Sequence, residues 1–218
     1  MPQIFPPYAD TVARVILVAI LVVPFGGIAF AYFVMRSQYT TDQSITVDQP
    51  VPFSHEHHVG GLGLDCRYCH SGVETSPVAG VPPTHTCMTC HSQLYTQTTM
   101  LAPVRASLAD NRPIHWNKVN RLPDYVYFDH SIHIAKGVGC STCHGAVDHM
   151  PLMRQAAPLT MGWCLDCHRD PAPNLRPVDA IFDPDWKAPG DQRKEGRALL
   201  THYLIQVEHL TDCSVCHR

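Results

Sequence analysis

Charge is scarce in this sequence. Asp, Glu, Lys and Arg together supply 16% of the 218 residues, against about 25% in an ordinary soluble domain. A surface so thinly charged suits a membrane or partner subunits better than open water. The formal charge of −3 carries no basic excess, which removes the field that nucleic-acid binding needs. Glycine is outnumbered by proline, 13 to 19, so irregular backbone should be common and long regular elements few. Beyond residue 36 the chain has little means of burying a large side-chain core of its own. It also lacks any cysteine outside one pattern, and that pattern is what the chain has in abundance.

One long regular element stands out. Val15–Met35 reads VILVAILVVPFGGIAFAYFVM, uncharged throughout, with Arg14 before it and Arg36 after it. At 1.5 Å per residue the run reaches about 31 Å, close to the thickness of a bilayer's hydrocarbon core. Pro24, Gly26 and Gly27 are tolerated in such a helix because neighbouring helices re-satisfy the backbone. Ala29-Phe30-Ala31 resembles a signal-peptide cleavage site, but the apolar run exceeds the usual h-region of about 7–15 residues. The expectation is a retained, single-pass anchor. One arginine on each flank leaves its orientation undecided by charge.

All ten cysteines fall in five copies of Cys-x-x-Cys-His: Cys66/Cys69/His70, Cys87/Cys90/His91, Cys140/Cys143/His144, Cys164/Cys167/His168 and Cys213/Cys216/His217. This spacing suits c-type haem, in which two thiols bond the vinyl groups and the next residue presents imidazole to the iron. Zinc is the competing reading, because the gaps between Cys69 and Cys87 and between Cys143 and Cys164 fit a four-cysteine site. Histidine, however, follows the second cysteine in all five motifs although only 15 of 218 residues are histidine. The fifth motif also has no partner to complete a zinc site, and disulfides would leave the histidines unexplained. Five covalently bound haem c groups are expected. Haem c is attached outside the bacterial cytoplasmic membrane, which would put residues 37–218 on the periplasmic or outer face and the amino terminus in the cytoplasm.

Five irons held by five proximal histidines call for five further ligands. FSHEHHVGGLGLDCRYCH, Phe53–His70, has a twin in FDHSIHIAKGVGCSTCH, Phe128–His144. Both carry Phe-x-His-x-x-His about ten residues ahead of a haem motif. Side chains three apart share a helix face but are offset by a turn, so one can close its own haem while the other reaches a neighbour. His55 is assigned to the Cys66/Cys69 haem and His130 to the Cys140/Cys143 haem, leaving His58 and His133 for other irons. His57 is read as exposed or bonded to a propionate, and His85, His115, His149, His202 and His209 as non-ligands. The fifth distal ligand is then a methionine, Met161 or Met150, since thioether ligation raises a haem's potential.

The repeat extends to a whole two-haem module, each with a Pro-containing spacer and a second motif. The expected segments are 1–36 (cytoplasmic end and anchor), 37–49 (linker), 50–107 (first two-haem module) and 108–218 (second module plus the fifth haem). Within the last, Leu199, Leu200, Tyr203, Leu204, Val207 and Leu210 mark one face of a helix expected over 192–210. The fold class expected is one transmembrane helix followed by a multihaem cytochrome c domain, with short helices and loops wrapped around five haems and little β-sheet.

The Phe-x-His-x-x-His…Cys-x-x-Cys-His pattern resembles the cytochromes of the c3 and c7 type. Five motifs behind one apolar helix, with PLTMGWCLDCHRDP and TDCSVCHR, are more narrowly similar to the pentahaem cytochrome c subunit of bacterial alternative complex III. That resemblance implies a haem wire beside iron–sulfur, quinol-binding and monohaem cytochrome subunits. Electrons would pass from quinol to a periplasmic acceptor or terminal oxidase, with no catalytic residue in this chain. One departure is Asn120, in WNKVNRLPDY, where similar segments often carry histidine, so no role is carried over to it. Two other readings compete. A NapC/NrfH-type quinol dehydrogenase also has one helix and several haems, but there methionine typically follows two residues after the first motif's histidine, and here His70 precedes Ser71-Gly72. A multihaem reductase of nitrogen oxyanions needs an open iron, often marked by lysine in place of a proximal histidine, whereas all five motifs end in histidine.

Overall fold

The computed structural model describes residues 4–217. They fall into two units, one ending at Asp42 and the other beginning at Gln43. In the first, α1 (Ala9–Met35) is a 27-residue helix that takes Pro24 into its interior. It begins earlier than the uncharged run because Asp10 and Arg14 pair across one turn at 2.8 Å, so the polar end can still be helical. None of its residues is buried, and it is long and apolar enough to cross a membrane. A helix apolar on every side finds its partner surface in lipid or in other helices rather than in water. One further turn, α2 (Gln38–Thr41), ends at Asp42 in the left-handed region.

The second unit is built from short helices. A π-helical turn over Glu56–Gly61 leads to α3 (Cys66–Cys69) and α4 (Thr84–His91), and α5 (Ala102–Ala109) packs on α4. Then follow α6 (His130–Ala135), α7 (Cys140–His144), α8 (Met161–Arg169), α9 (Gln192–His202) and α10 (Cys213–Cys216). There is no strand among the described residues, only isolated bridges. Two of these join Gln43 to Gln155 and Thr46 to Arg154, and the Ser44 amide donates to the Gln155 carbonyl at 2.7 Å.

The long helix expected over 192–210 is shorter. It stops at His202, Leu204 adopts a φ of +53°, and a separate 3-10 turn covers Val207–His209. Leu199 and Leu200 lie on α9, whereas Leu204, Val207 and Leu210 lie past the break. The periodicity ran across two elements separated by that break.

Side chains alone give this unit a small core. Ten of the described apolar residues are buried, and Val73, Ile134 and Ile181 form their one cluster, flanked by Ala79, Cys140 and Phe182. Close backbone approaches substitute for bulk in two places. A Cβ on Gly60 would collide with the Asp148 carbonyl oxygen, and one on Gly196 with that of Ala172. Only glycine allows either contact. Buried Arg176 braces the loop behind α7: its guanidinium donates to the Ser141 hydroxyl at 2.9 Å and to the Asp183 carbonyl at 3.1 Å.

Candidate haem sites

Each Cys-x-x-Cys folds as one helical turn, which puts its two thiols on the same side. Asp65 caps α3 by accepting from the Arg67 amide, and Thr160 caps α8 by accepting from that of Trp163. The histidine directly follows the second cysteine of each turn.

Opposite four of these rings stands another imidazole. His55 faces His70 with ring centroids 6.4 Å apart and planes 4° from parallel. His130 faces His144 at 6.3 Å and 4°. His58 faces His91 at 6.2 Å and 63°, and His133 faces His168 at 6.2 Å and 33°. Direct ring stacking would make the separation depend on the angle; here the separation stays constant while the angle ranges widely. Two imidazoles that each hold a nitrogen about 2 Å from one metal ion have centroids about 6 Å apart, whatever their rotation about the shared axis. The residues therefore fit an iron bound on both faces.

The outer ring nitrogens support the same geometry. Nδ1 of His70 donates to the Gly80 carbonyl at 2.7 Å, that of His91 to Leu94 at 3.2 Å, and that of His168 to Leu210 at 2.8 Å. Among the distal candidates, His58 donates to Ser54 at 2.8 Å, His130 to Pro77 at 2.8 Å and His133 to Asp129 at 2.7 Å. A carbonyl partner fixes the proton on Nδ1 and leaves the Nε2 lone pair for metal. Burial holds His55 down to about 4, with His70, His58 and His144 adding to the effect, and holds His144 at about 4, with His130 and His70 adding. Burial also lowers His58 and His133. All four are neutral at pH 7, the form in which imidazole binds metal.

Phe53 and Phe128 are participants that the sequence reading passed over. Phe53 stands edge-on to His55 (4.9 Å, 87°) and stacks on His58 (4.4 Å, 24°). Phe128 repeats this with His130 (4.8 Å, 89°) and His133 (4.4 Å, 28°). One ring sets both imidazole planes, and its presence in both copies of Phe-x-His-x-x-His was the available signal.

The thiols give the order of the motifs in space. Cys66 and Cys140 lie close enough for each thiol to perturb the other. Cys69 lies within electrostatic reach of Cys87, and Cys164 of Cys216. Burial, with Cys167 and Cys164 nearby, pushes Cys143 up to about 12. The sequence of neighbours is thus second motif, first, third, fourth, fifth.

Exposure varies among the ten cysteines. Eight of the ten cysteines are half-buried, whereas Cys90 and Cys213 are exposed. Cys90, one of the cysteines expected to hold haem, is the clearer case. It sits near the end of α4, a helix with no buried residue, and its sulfur accepts only a long contact from the hydroxyl of its neighbour Thr89, at 3.8 Å. The physical reason lies in the order of the motifs. Cys90 and Cys213 belong to the second and fifth, which have a neighbouring motif on one side only, so fewer elements pack over their thiols. Both cysteines of each middle motif are half-buried, whereas each terminal motif has one exposed cysteine.

The fifth motif also differs from the others in what lies opposite its histidine. Nδ1 of His217 donates to the Tyr125 carbonyl at 3.1 Å, and the Tyr125 ring lies 5.8 Å away, tilted by 34°. No histidine pair like the other four forms there among the described residues. Met150 is fully buried, its methyl group at the Cα side of Gly145. Met161 is 63% exposed at the start of α8, one turn before Cys164. His57, His85, His115, His149, His202 and His209 are all exposed and face none of the motif histidines.

A helical chain with Cys-x-x-Cys-His turns and opposed imidazoles has the make-up of a multihaem c-type cytochrome. Residues 126–218 match the family described as cytochrome c7 and related cytochrome c. The chain is also 30% identical, over 171 residues, to the multihaem cytochrome c subunit of menaquinone reductase from Nitratidesulfovibrio vulgaris strain Hildenborough. That match covers 78% of this chain and 68% of the relative. The chain belongs to this family of multihaem cytochrome c subunits.

Proposed function

We propose that the chain is a membrane-anchored pentahaem cytochrome that carries electrons from a quinol-oxidising complex of the alternative complex III type to a periplasmic acceptor or terminal oxidase. The observation that carries this reading is the constant imidazole separation at four of the five motifs, which leaves those irons no open face for substrate. A family relative named as a subunit of a menaquinone reductase supports a quinone-linked carrier that works beside partner subunits. When bound, haem supplies one-electron redox chemistry, and the axial ligands and burial set its potential.

The chain's own residues divide the remaining work. The ten cysteines hold the groups covalently, and His70, His91, His144, His168 and His217 ligate one face of each iron. His55, His58, His130 and His133 ligate the other face of the first, second, third and fourth. Met161 is the ligand we assign to the fifth, because it shares a helix face with Cys164, which neighbours Cys216. Haem faces, rather than side chains, complete the core that residues 43–217 otherwise lack. Electrons would enter or leave at the second and fifth motifs, the two ends of the spatial order, where exposed Cys90 and Cys213 mark haem edges within reach of a partner. α1 (Ala9–Met35) would anchor the chain in the cytoplasmic membrane with the haem domain on the outer face.

Haem quantification combined with EPR-monitored potentiometry tests this directly. Five c-type haems, at least four of them bis-imidazole and low-spin, are expected. Zinc in place of iron, or fewer than five haems, would overturn the reading. The purified chain should not oxidise quinol without partner subunits; if it does, a quinol dehydrogenase is the better description.

A further inference from the structure

Every motif histidine but one sends its outer nitrogen to a backbone carbonyl. The exception is His144, whose Nδ1 lies 3.2 Å from the side-chain amide nitrogen of Asn120. With iron on Nε2, Nδ1 must carry the proton, so two donors would then face each other. The other end of the same amide, Asn120 Oδ1, is buried with no hydrogen-bond partner. Turning the amide by 180° about its last bond replaces the clash of donors with a hydrogen bond, Oδ1 accepting from Nδ1–H, and moves Nδ2 to the position where Oδ1 has no donor. Amide orientation is assigned from the hydrogen-bond network rather than observed, and here the network decides it.

We propose that Asn120 is a positioning residue for the third haem site, with its side-chain oxygen accepting the Nδ1–H of His144. This rests on the reading of His144 as an iron ligand. The consequence is specific to this site. A backbone carbonyl cannot be exchanged by substitution, whereas Asn120 can, so one potential among the five is tunable by a single side chain. A stronger acceptor makes imidazole the better donor and favours ferric iron, lowering the potential; loss of the acceptor raises it. Asn120 precedes the Phe128–His144 segment, so its hold on His144 also ties the stretch ahead of that segment to the third motif.

The test is potentiometry and EPR on the full haem-loaded chain carrying Asn120→Leu or Asn120→Asp. Leucine keeps the volume without the acceptor, and aspartate keeps the shape with a stronger one. One titration wave is expected to move up in N120L, and the same wave down in N120D, with the other four unmoved and the haem count unchanged. A merely structural role would move the wave the same way in both variants, and that result overturns the proposal, as does a wave that stays put in either. If N120L does not mature, N120D alone decides by the presence or absence of the downward shift. Absence of haem at Cys140/Cys143 in the parent chain would instead refute the reading of the site itself.

Discussion

His58 stands eight residues ahead of the first motif, yet its ring faces His91, the last residue of the second. Replacing His58 should therefore alter the haem at Cys87/Cys90 and leave the nearer one at Cys66/Cys69 alone. Methionine is the informative substitution, since it can still ligate iron while exchanging a nitrogen donor for a thioether. Axial exchange of this kind raises the potential, within the span of about 0.8 V that haem ligation covers. Haem content should not change, because no thioether is touched. One wave of five, about one fifth of the amplitude, should rise in a potentiometric titration followed at the haem absorption bands. The His91→Met variant should move the same wave, and His70→Met a different one. Should His58→Met and His70→Met shift a common wave, the crossed assignment is wrong, and with it the argument from centroid spacing.

Further outcomes follow from the same geometry. Phe128→Ala removes the ring that orients both His130 and His133, so EPR should show two low-spin signals broadened together; the half-buried ring should cost about 2 kcal/mol of stability, below the full-core value, measured by thermal unfolding of the haem-loaded protein. Gly196→Ala drives a Cβ into the Ala172 carbonyl and should cost about 3 kcal/mol or more, whereas Gly162→Ala in α8, with nothing within 4 Å of the new atom, should gain about 0.5 kcal/mol. The Asp65 carboxyl is held below its ordinary value of 3.8 chiefly by the Arg67 side chain. Its contribution is complete above that value and fades as pH falls through the lower folded one. Asp65→Asn should thus be less stable than the parent by a constant amount at pH 5–8, and the gap should close as pH falls below about 4; equal stability at pH 5–8, or a gap that appears only in acid, would contradict this.

The sequence disclosed what is local. Cys-x-x-Cys-His is one helical turn and Phe-x-His-x-x-His spans little more than one, so spacing alone brought out both, along with the all-helical character. What it hid was distant contact. Cys66 meets Cys140 through tertiary packing that no period records, and so the spatial order of the motifs could not be read. The exposure of Cys90 was hidden for the same reason, since its motif reads like the other four and only its terminal place in that order sets it apart. Gln155 likewise meets the residues after Asp42 through the fold alone. The run of leucines ending at Leu210 kept a helical rhythm through a break, because a left-handed residue such as Leu204 carries no glycine signature. Asn120 was noticed only as a departure, and its contact with His144 comes from the fold.

Each Phe-x-His-x-x-His segment precedes both sites it serves. A ribosome works from the amino terminus, so His55 and His58 exist before Cys66, and well before Cys87. Neither the first pair of sites nor the second ever has to wait for residues still unmade once its own cysteines have appeared. On the proposed ligation, a nascent chain halted after residue 107 would already contain every ligand assigned to its first two sites.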